Sequence, residues 1–280
     1  MPAPMPRTRR HPSLWIGGLL VTLVALVAAL SLVWTPHSPL EMNLAARLAP
    51  PDATHWLGTD AFGRDIFSQL MVGARASIVV GVVAVGIGLL AGVALGLLAA
   101  ARRGWIEEAL MRATDFGFAF PAILTAIMIT AVFGPGMVNA IIAIGLYNIP
   151  TFARITRASA NAVWARDFVV AARSMGRSRW EITWRHVLPN ISAVLVVQAT
   201  IRFAIAILAE AALSYLGLGT QPPQPSWGRM LAEAQTLMFQ SPWLAVWPGL
   251  AIALAVMGLN LLGDGLRDRL DPRLARQSRT

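Results

Sequence analysis

Hydrophobic and polar positions fall into long blocks along this chain, not into the short periods of a soluble domain. Apolar runs cover 14–34, 77–101, 118–133, 137–153, 191–215 and 244–263. The first, Leu14 to Trp34, is a 21-residue run without a charge. A hydrocarbon core of about 30 Å needs roughly 20 helical residues, so it is long enough to span. A cleaved leader would have an apolar region of only about 7–15 residues, so the run reads as an uncleaved first helix. Inside a bilayer each segment must satisfy its own backbone, and six such runs predict an all-α membrane protein with six transmembrane helices.

Polar segments separate the runs: a tail at 1–13, a Pro- and Asp-rich stretch at 35–76, a basic link at 102–117, loops at 154–190 and 216–243, and a tail at 264–280. Spans 118–133 and 137–153 form a hairpin around Gly134, Pro135 and Gly136, and Pro121 and Pro150 predict kinks or tilt near their ends. In the second span Gly88, Gly92 and Gly96 stand four apart, a smooth face for close helix contact. Arg229 to Phe239 suits a short surface helix, and alternating Asp264, Arg267, Asp268, Arg269, Asp271 and Arg273 suit a solvated helix end.

Six spans put both termini on one side. Of the 23 basic residues, 18 fall on the proposed inner side and only Arg47, Arg64, Arg75 and Arg229 on the outer, with Arg202 left inside a span. That bias predicts cytoplasmic termini and a cytoplasmic 154–190 loop. The +9 net charge is thereby explained by membrane orientation, without nucleic acid. Composition agrees with the bilayer: 56% hydrophobic, 13% charged, mean hydropathy +0.60. Every basic residue is Arg, so the phosphate-binding pattern G-x-x-x-x-G-K-[ST] cannot occur and the chain holds no such ATP site. Without Cys there are no disulfides, thiolate metal sites or cysteine nucleophiles. His11, His37, His55 and His186 lie outside the spans, which argues against an intramembrane enzyme or a His-rich metal site at membrane depth.

The 154–190 loop carries an arginine-rich island, Asp167 to Asn190. Asp167 suits the N-cap of a short helix and Gly176 the residue past its end. Ser178 with Glu181 reads as the capping box of a second helix. Trp180, Trp184, Val187 and Leu188 then fall at i, i+4, i+7 and i+8 on one face, and Pro189 ends the helix. Such a face wants a partner; from periodicity alone, docking on a protein and lying on anionic lipid are equal readings.

The segment AARSMG, nine residues, then HVLPN resembles the EAA loop of ABC importer permeases. The corresponding positions are Val170, Ala171, Ala172, Gly176, Leu188 and Pro189, with Val187 at or beside the hydrophobic position. The chain departs from the pattern at Val170, where the family has an acidic residue. The resemblance implies coupling helices inserted into a cleft of an ATPase subunit, with Trp180 and Trp184 on the docking face. His55 to Asp65, H-W-L-G-T-D-A-F-G-R-D, and Gly219 to Gly228, G-T-Q-P-P-Q-P-S-W-G, are similar to strings of the dipeptide, oligopeptide and nickel branch. The whole resembles the second, C-type permease of dipeptide importers, a type I fold in a bacterial inner membrane. It implies a second homologous permease, two ATP-binding subunits or domains that hold ATP and Mg²⁺, and an extracytoplasmic substrate-binding protein. This chain would be non-catalytic and bind no cofactor or metal. Peptides are the expected cargo, with nickel or another small solute as the alternative.

Two charges stand in the fifth span. Arg202, near its middle, costs about 2.5–3.5 kcal/mol to insert and should not face lipid. Glu210 is about 12 Å further along at 1.5 Å per residue, too far for a comfortable pair. Both are candidates for the translocation path, where Arg202 would meet a substrate carboxylate or a partner's polar group; a structural interhelical contact is the equal alternative. A stand-alone secondary transporter would have to use the same two residues for coupling. Asp60, Arg64 and Asp65 are read as loop carboxylates bonded to their own backbone, not as a metal or acid site.

Overall fold

Residues 12–270 are described by a computed structural model. Arg7, Arg9, Arg10 and His11 of the first tail, and Asp271 and Arg273 of the last, lie outside the described residues. The elements are α1 (Pro12–Leu30), α2 (Ile66–Arg102), α3 (Trp105–Ala119), α4 (Ala122–Phe133), α5 (Met137–Trp164), α6 (Asp167–Ser174), α7 (Arg179–Ile182), α8 (Leu188–Tyr215), α9 (Trp227–Ala234) and α10 (Trp243–Leu270). Among the described residues there is no β-strand, only one isolated bridge between Thr59 and Asp65. Five helices are long and apolar enough to cross a membrane, and a bent pair, α3 and α4, makes the sixth candidate.

Several boundaries differ from the hydropathy blocks, each for a local reason. α2 starts at Ile66, not Ser77, because Asp65 caps it: its carboxylate accepts the Ser68 N–H at 2.8 Å. Polar Ser68, Gln69 and Arg75 broke the apolar run without breaking the helix. Its 37 residues span about 55 Å at 1.5 Å per residue, more than a hydrocarbon core requires. The block 118–133 is not one helix. Phe120 is extended (φ −102°, ψ 128°) ahead of Pro121, as steric conflict before proline demands, and α3 and α4 meet at 81°. α5 runs through Pro150 and on to Trp164, past the expected end at Ala153. Arg154 and Arg157 stay helical there and pair with α3, Arg157 with Glu107 at 2.5 Å and Arg154 with Asp115.

α2 is the central element. It packs on α5 and α8, while α1 lies along α10. The glycine face is used as expected: a Cβ on Gly88 would come within 2.3 Å of Asn148 Cβ, and on Gly92 within 2.6 Å of the Ile149 carbonyl. α1 approaches α10 as closely, since a Cβ on Gly17 would lie 2.3 Å from the Leu262 nitrogen. α9 is not a surface helix, for Trp227, Gly228, Met230 and Ala234 are buried. Asp264, Arg267, Asp268 and Arg269 stand exposed at the end of α10, as a solvated helix end requires.

One end of the bundle gathers the N-terminus of α2, the C-terminus of α8, α9 and the α4–α5 turn, whose Gly136 N–H donates to the Leu218 carbonyl at 3.1 Å. The other end gathers α6, α7 and the C-terminus of α2.

Candidate coupling surface and buried polar groups

α6 and α7 are built on an apolar base. Val169, Ala172, Ile182 and Val187 are buried together with Leu97 and Ala100 of α2, Ala160 and Val163 of α5, and Ile191 and Leu195 of α8. Asp167 is the first helical residue of α6, not its cap, and its carboxylate sits where the helix dipole favours an anion. Gly176 takes φ +81° just past the helix, and the Arg177 N–H returns to the Ala172 carbonyl at 3.3 Å. Ser178 caps α7 through the Glu181 N–H at 3.2 Å. The carboxylate of Glu181 turns instead to Arg177 at 2.5 Å and Arg185 at 3.2 Å. Arg179 ties the element to α2 by donating to the Ala101 carbonyl at 2.8 Å.

Pro189 does not end the helix. Residues 183–187 form a π-turn, in which the Leu188 N–H donates to the Thr183 carbonyl five residues back, and α8 follows without a break. The cause is Pro189 itself, which lacks an N–H and whose ring would crowd the carbonyl four residues earlier. A wider turn relieves the clash. The register therefore shifts, and the predicted common face divides. Trp180 and Trp184 remain outside, 64% and 50% exposed with rings edge to face at 5.6 Å, while Val187 turns into the core. Leu188 is half-buried and Pro189 exposed.

The outward surface is larger than the motif suggested. Val170 is 55% and Met175 72% exposed, Phe168 joins them, and Ala171 and Gly176 lie open between, whereas Ala172 is buried. Phe168 and Met175 are not motif positions, and only their phase against buried Val169 and Ala172 brings them outward. The patch is apolar and aromatic, edged by arginines, and carried on a base fixed to three long helices.

Glu210 is fully buried and does not meet Arg202. Its Oε1 accepts from Ser214 Oγ at 2.7 Å and Thr220 Oγ1 at 3.3 Å, and Thr220 in turn donates its N–H to Ser214 Oγ at 2.9 Å. Glu210 thus anchors the segment after α8. Arg202 is half-buried against Tyr147 of α5, and its Nε has no hydrogen-bond partner.

At the far end the two branch-specific strings meet. Asp60 Oδ1 accepts the Phe62 and Arg64 N–H groups at 2.8 and 2.9 Å, the expected loop bonding. Arg64, only 7% exposed, bridges Asp60 and Glu233 of α9 at 2.6 Å each, and Gln69 also donates to Asp60. Trp227 Nε1 donates to the Leu70 carbonyl at 3.0 Å. Asp65 does not stand without histidine: His55 Nδ1 lies 3.0 Å from its Oδ1, brought there by a loop that spacing could not foresee.

The family model for "Binding-protein-dependent transport system inner membrane component" matches residues 92–276. A dipeptide transport system permease protein of Alkalihalophilus pseudofirmus is 43% identical over 259 residues, 92% of this chain and 85% of the relative. A glutathione transport system permease protein of Pectobacterium atrosepticum is 42% identical over 267 residues, 95% of this chain and 88% of the relative. Among solved structures, inward-facing forms of the MetNI methionine ABC transporter align at TM-scores of 0.59 and 0.60 with 17% identity, covering 75% of this chain and 96% of theirs.

Proposed function

The chain belongs to the family of binding-protein-dependent transport system inner membrane components, and as such a permease subunit of an ABC importer, we propose, it forms half of a translocation path for di- or oligopeptides. A partner ATPase drives it through Asp167–Asn190. The observation that carries the coupling role is the exposed patch of Phe168, Val170, Met175, Trp180 and Trp184 on a buried base shared with α2, α5 and α8. In water such a patch needs a cover. A cleft on the ATPase is the cover we assign, with ATP and Mg²⁺ held there and not on this chain.

The arginine distribution supports cytoplasmic termini and a cytoplasmic α6–α7 element. A second homologous permease completes the path, and an extracytoplasmic binding protein delivers the cargo to the end built from residues 35–65 and α9. Identity of over 40% to dipeptide and glutathione permeases supports a peptide cargo. Within the path we assign Arg202, whose guanidinium is half-buried with Nε unpartnered. Glu210, whose Oε1 is bonded to Ser214 and Thr220 while its buried Oε2 has no partner, is assigned to holding α8.

The test is co-purification from membranes in nanodiscs, with the native chain beside Gly176→Asp. The native chain is expected to bring an ATPase and a second permease, and the substituted chain to lose the ATPase. A native chain that never recruits an ATPase overturns the coupling role. Transport by Arg202→Gln at the native rate, with normal assembly, would remove Arg202 from the path.

A further inference from the structure

The N-cap of α2 carries more than a cap. Three segments converge on Asp65: the start of the stretch after α1 at His37, the motif loop at His55, and α2 itself. One side of the carboxylate is occupied by the helix, since Oδ2 accepts both the Ser68 N–H at 2.8 Å and Ser68 Oγ at 2.7 Å. The other oxygen, Oδ1, faces two imidazole nitrogens, His55 Nδ1 at 3.0 Å and His37 Nδ1 at 3.8 Å. The two rings lie with centroids 4.4 Å apart. All three ligand atoms stand within 4.8 Å of one another.

Ordinary hydrogen bonding accounts for only part of this. A neutral His55 can donate Nδ1–H to Asp65. His37 Nδ1 is buried and without a partner, and it looks onto the oxygen His55 already uses. As a lone-pair donor it would repel the carboxylate; as an N–H it is too distant for a hydrogen bond. A cation between the three atoms satisfies all of them at once.

We infer that His37, His55 and Asp65 bind one divalent transition-metal ion of the Zn²⁺ type. Two imidazoles and a carboxylate suit Zn²⁺, which binds such ligands at about 2.0–2.2 Å and takes four in tetrahedral array. Ligand atoms at those bond lengths sit about 3.4 Å apart, so modest rotation of His37 closes the set. That ring is the more exposed of the two, with 39% of its side chain accessible, and so has room to turn.

Outer-shell bonds already orient the ligands, as metal sites require. Ser68 holds Asp65 and also accepts the His37 N–H at 3.1 Å. Asp52 fixes the His55 backbone, its Oδ1 accepting that N–H at 2.5 Å and the Thr54 N–H at 2.8 Å. The bound ion staples residues 37 and 55 to the first turn of α2. It is structural, and the inference does not depend on which cargo the path carries.

The probe is Zn²⁺ alone, titrated into the full chain in lipid nanodiscs against a chromophoric chelator, with a purification tag that contains no histidine. One site per chain is expected. His37→Gln and His55→Gln should each weaken it by about tenfold or more, and the control His186→Gln should leave it unchanged. Zinc-edge absorption should report two imidazoles and no sulfur. The native unfolding temperature should rise with Zn²⁺, and that rise should vanish in His37→Gln, which leaves the Asp65 cap intact. Matching tryptophan emission without metal would show that the variants fold. Equal Zn²⁺ affinity in the native chain and both variants, or no unfolding shift in the native chain, overturns the site.

Discussion

The two ends of the bundle both rely on arginine and tryptophan, yet use them in opposite ways. At the α6–α7 end the ion pairs are local, with Arg177 and Arg185 flanking Glu181, and Trp180 and Trp184 point outward. At the α9 end, Arg64 reaches Glu233 at 2.6 Å across most of the chain, and Trp227 is 2% exposed with its indole bonded to Leu70. The surface proposed to dock keeps its apolar side chains available and its ion pairs local. A plate made to hold spans together buries both. Residue type alone does not separate these roles; burial does.

Exchange of a buried for an exposed tryptophan tests the contrast most severely. Trp227→Ala should cost about 3–5 kcal/mol, as large-to-small changes in a packed core do, and lower the unfolding midpoint of the chain in nanodiscs sharply. Arg64→Met should follow at about 3 kcal/mol, because it leaves Asp60 buried with its main charge partner gone. Recovery of most of that loss in Arg64→Met combined with Asp60→Asn would confirm an unpaired charge as the cause. Trp180→Ala and Trp184→Ala should each move stability by no more than about 0.5 kcal/mol while sharply reducing ATPase capture. A large stability loss there would mean that the two indoles are core and not docking surface.

Val170→Glu, which restores the acidic residue of the motif, should leave stability within about 0.5 kcal/mol, since the position is exposed. Its effect should appear only as altered ATPase capture. The smallest effect concerns Asp52, whose carboxyl is held below the usual range by hydrogen bonds, first from the His55 N–H and then from Thr54. A depressed folded-state value gives stability that is present above the unfolded value and lost as pH falls through the folded one. Acidification below about pH 4 should therefore loosen the 52–55 turn in the native chain. In Asp52→Asn, whose amide oxygen can accept the same bonds without titrating, hydrogen exchange of the His55 amide should not follow pH in that way.

Much of the architecture was legible from local rules. Hydropathy blocks marked the five long apolar helices, Gly176 announced a left-handed stop, Ser178 with Glu181 marked a helix start, and the four-residue glycine spacing marked the α2 face that meets α5. Other features were not. The π-turn before Pro189 has its cause in the sequence, but a proline after an apolar stretch equally signals termination, and only the packed base of Val187, Ile191 and Leu195 carries the helix onward. The start of α2 at Ile66 was hidden because Gln69 and Arg75 read as a polar segment, although Gln69 is buried against the plate. Nor could spacing foresee that Glu210 Oε1 is bonded to Ser214 and to Thr220 of the segment after α8.

What the sequence by itself determined, then, is what depends on residues close together along the chain: the apolar helical class, the Ser178 cap and the Gly176 stop, and the family strings. What only the tertiary structure decided is which distant groups share one space. His37 with His55 and Asp65, Arg64 with Glu233, and the turn of Val187 into the core all arise from chain paths and from helix phase. A single extra residue per turn, as at Pro189, redirects every side chain after it.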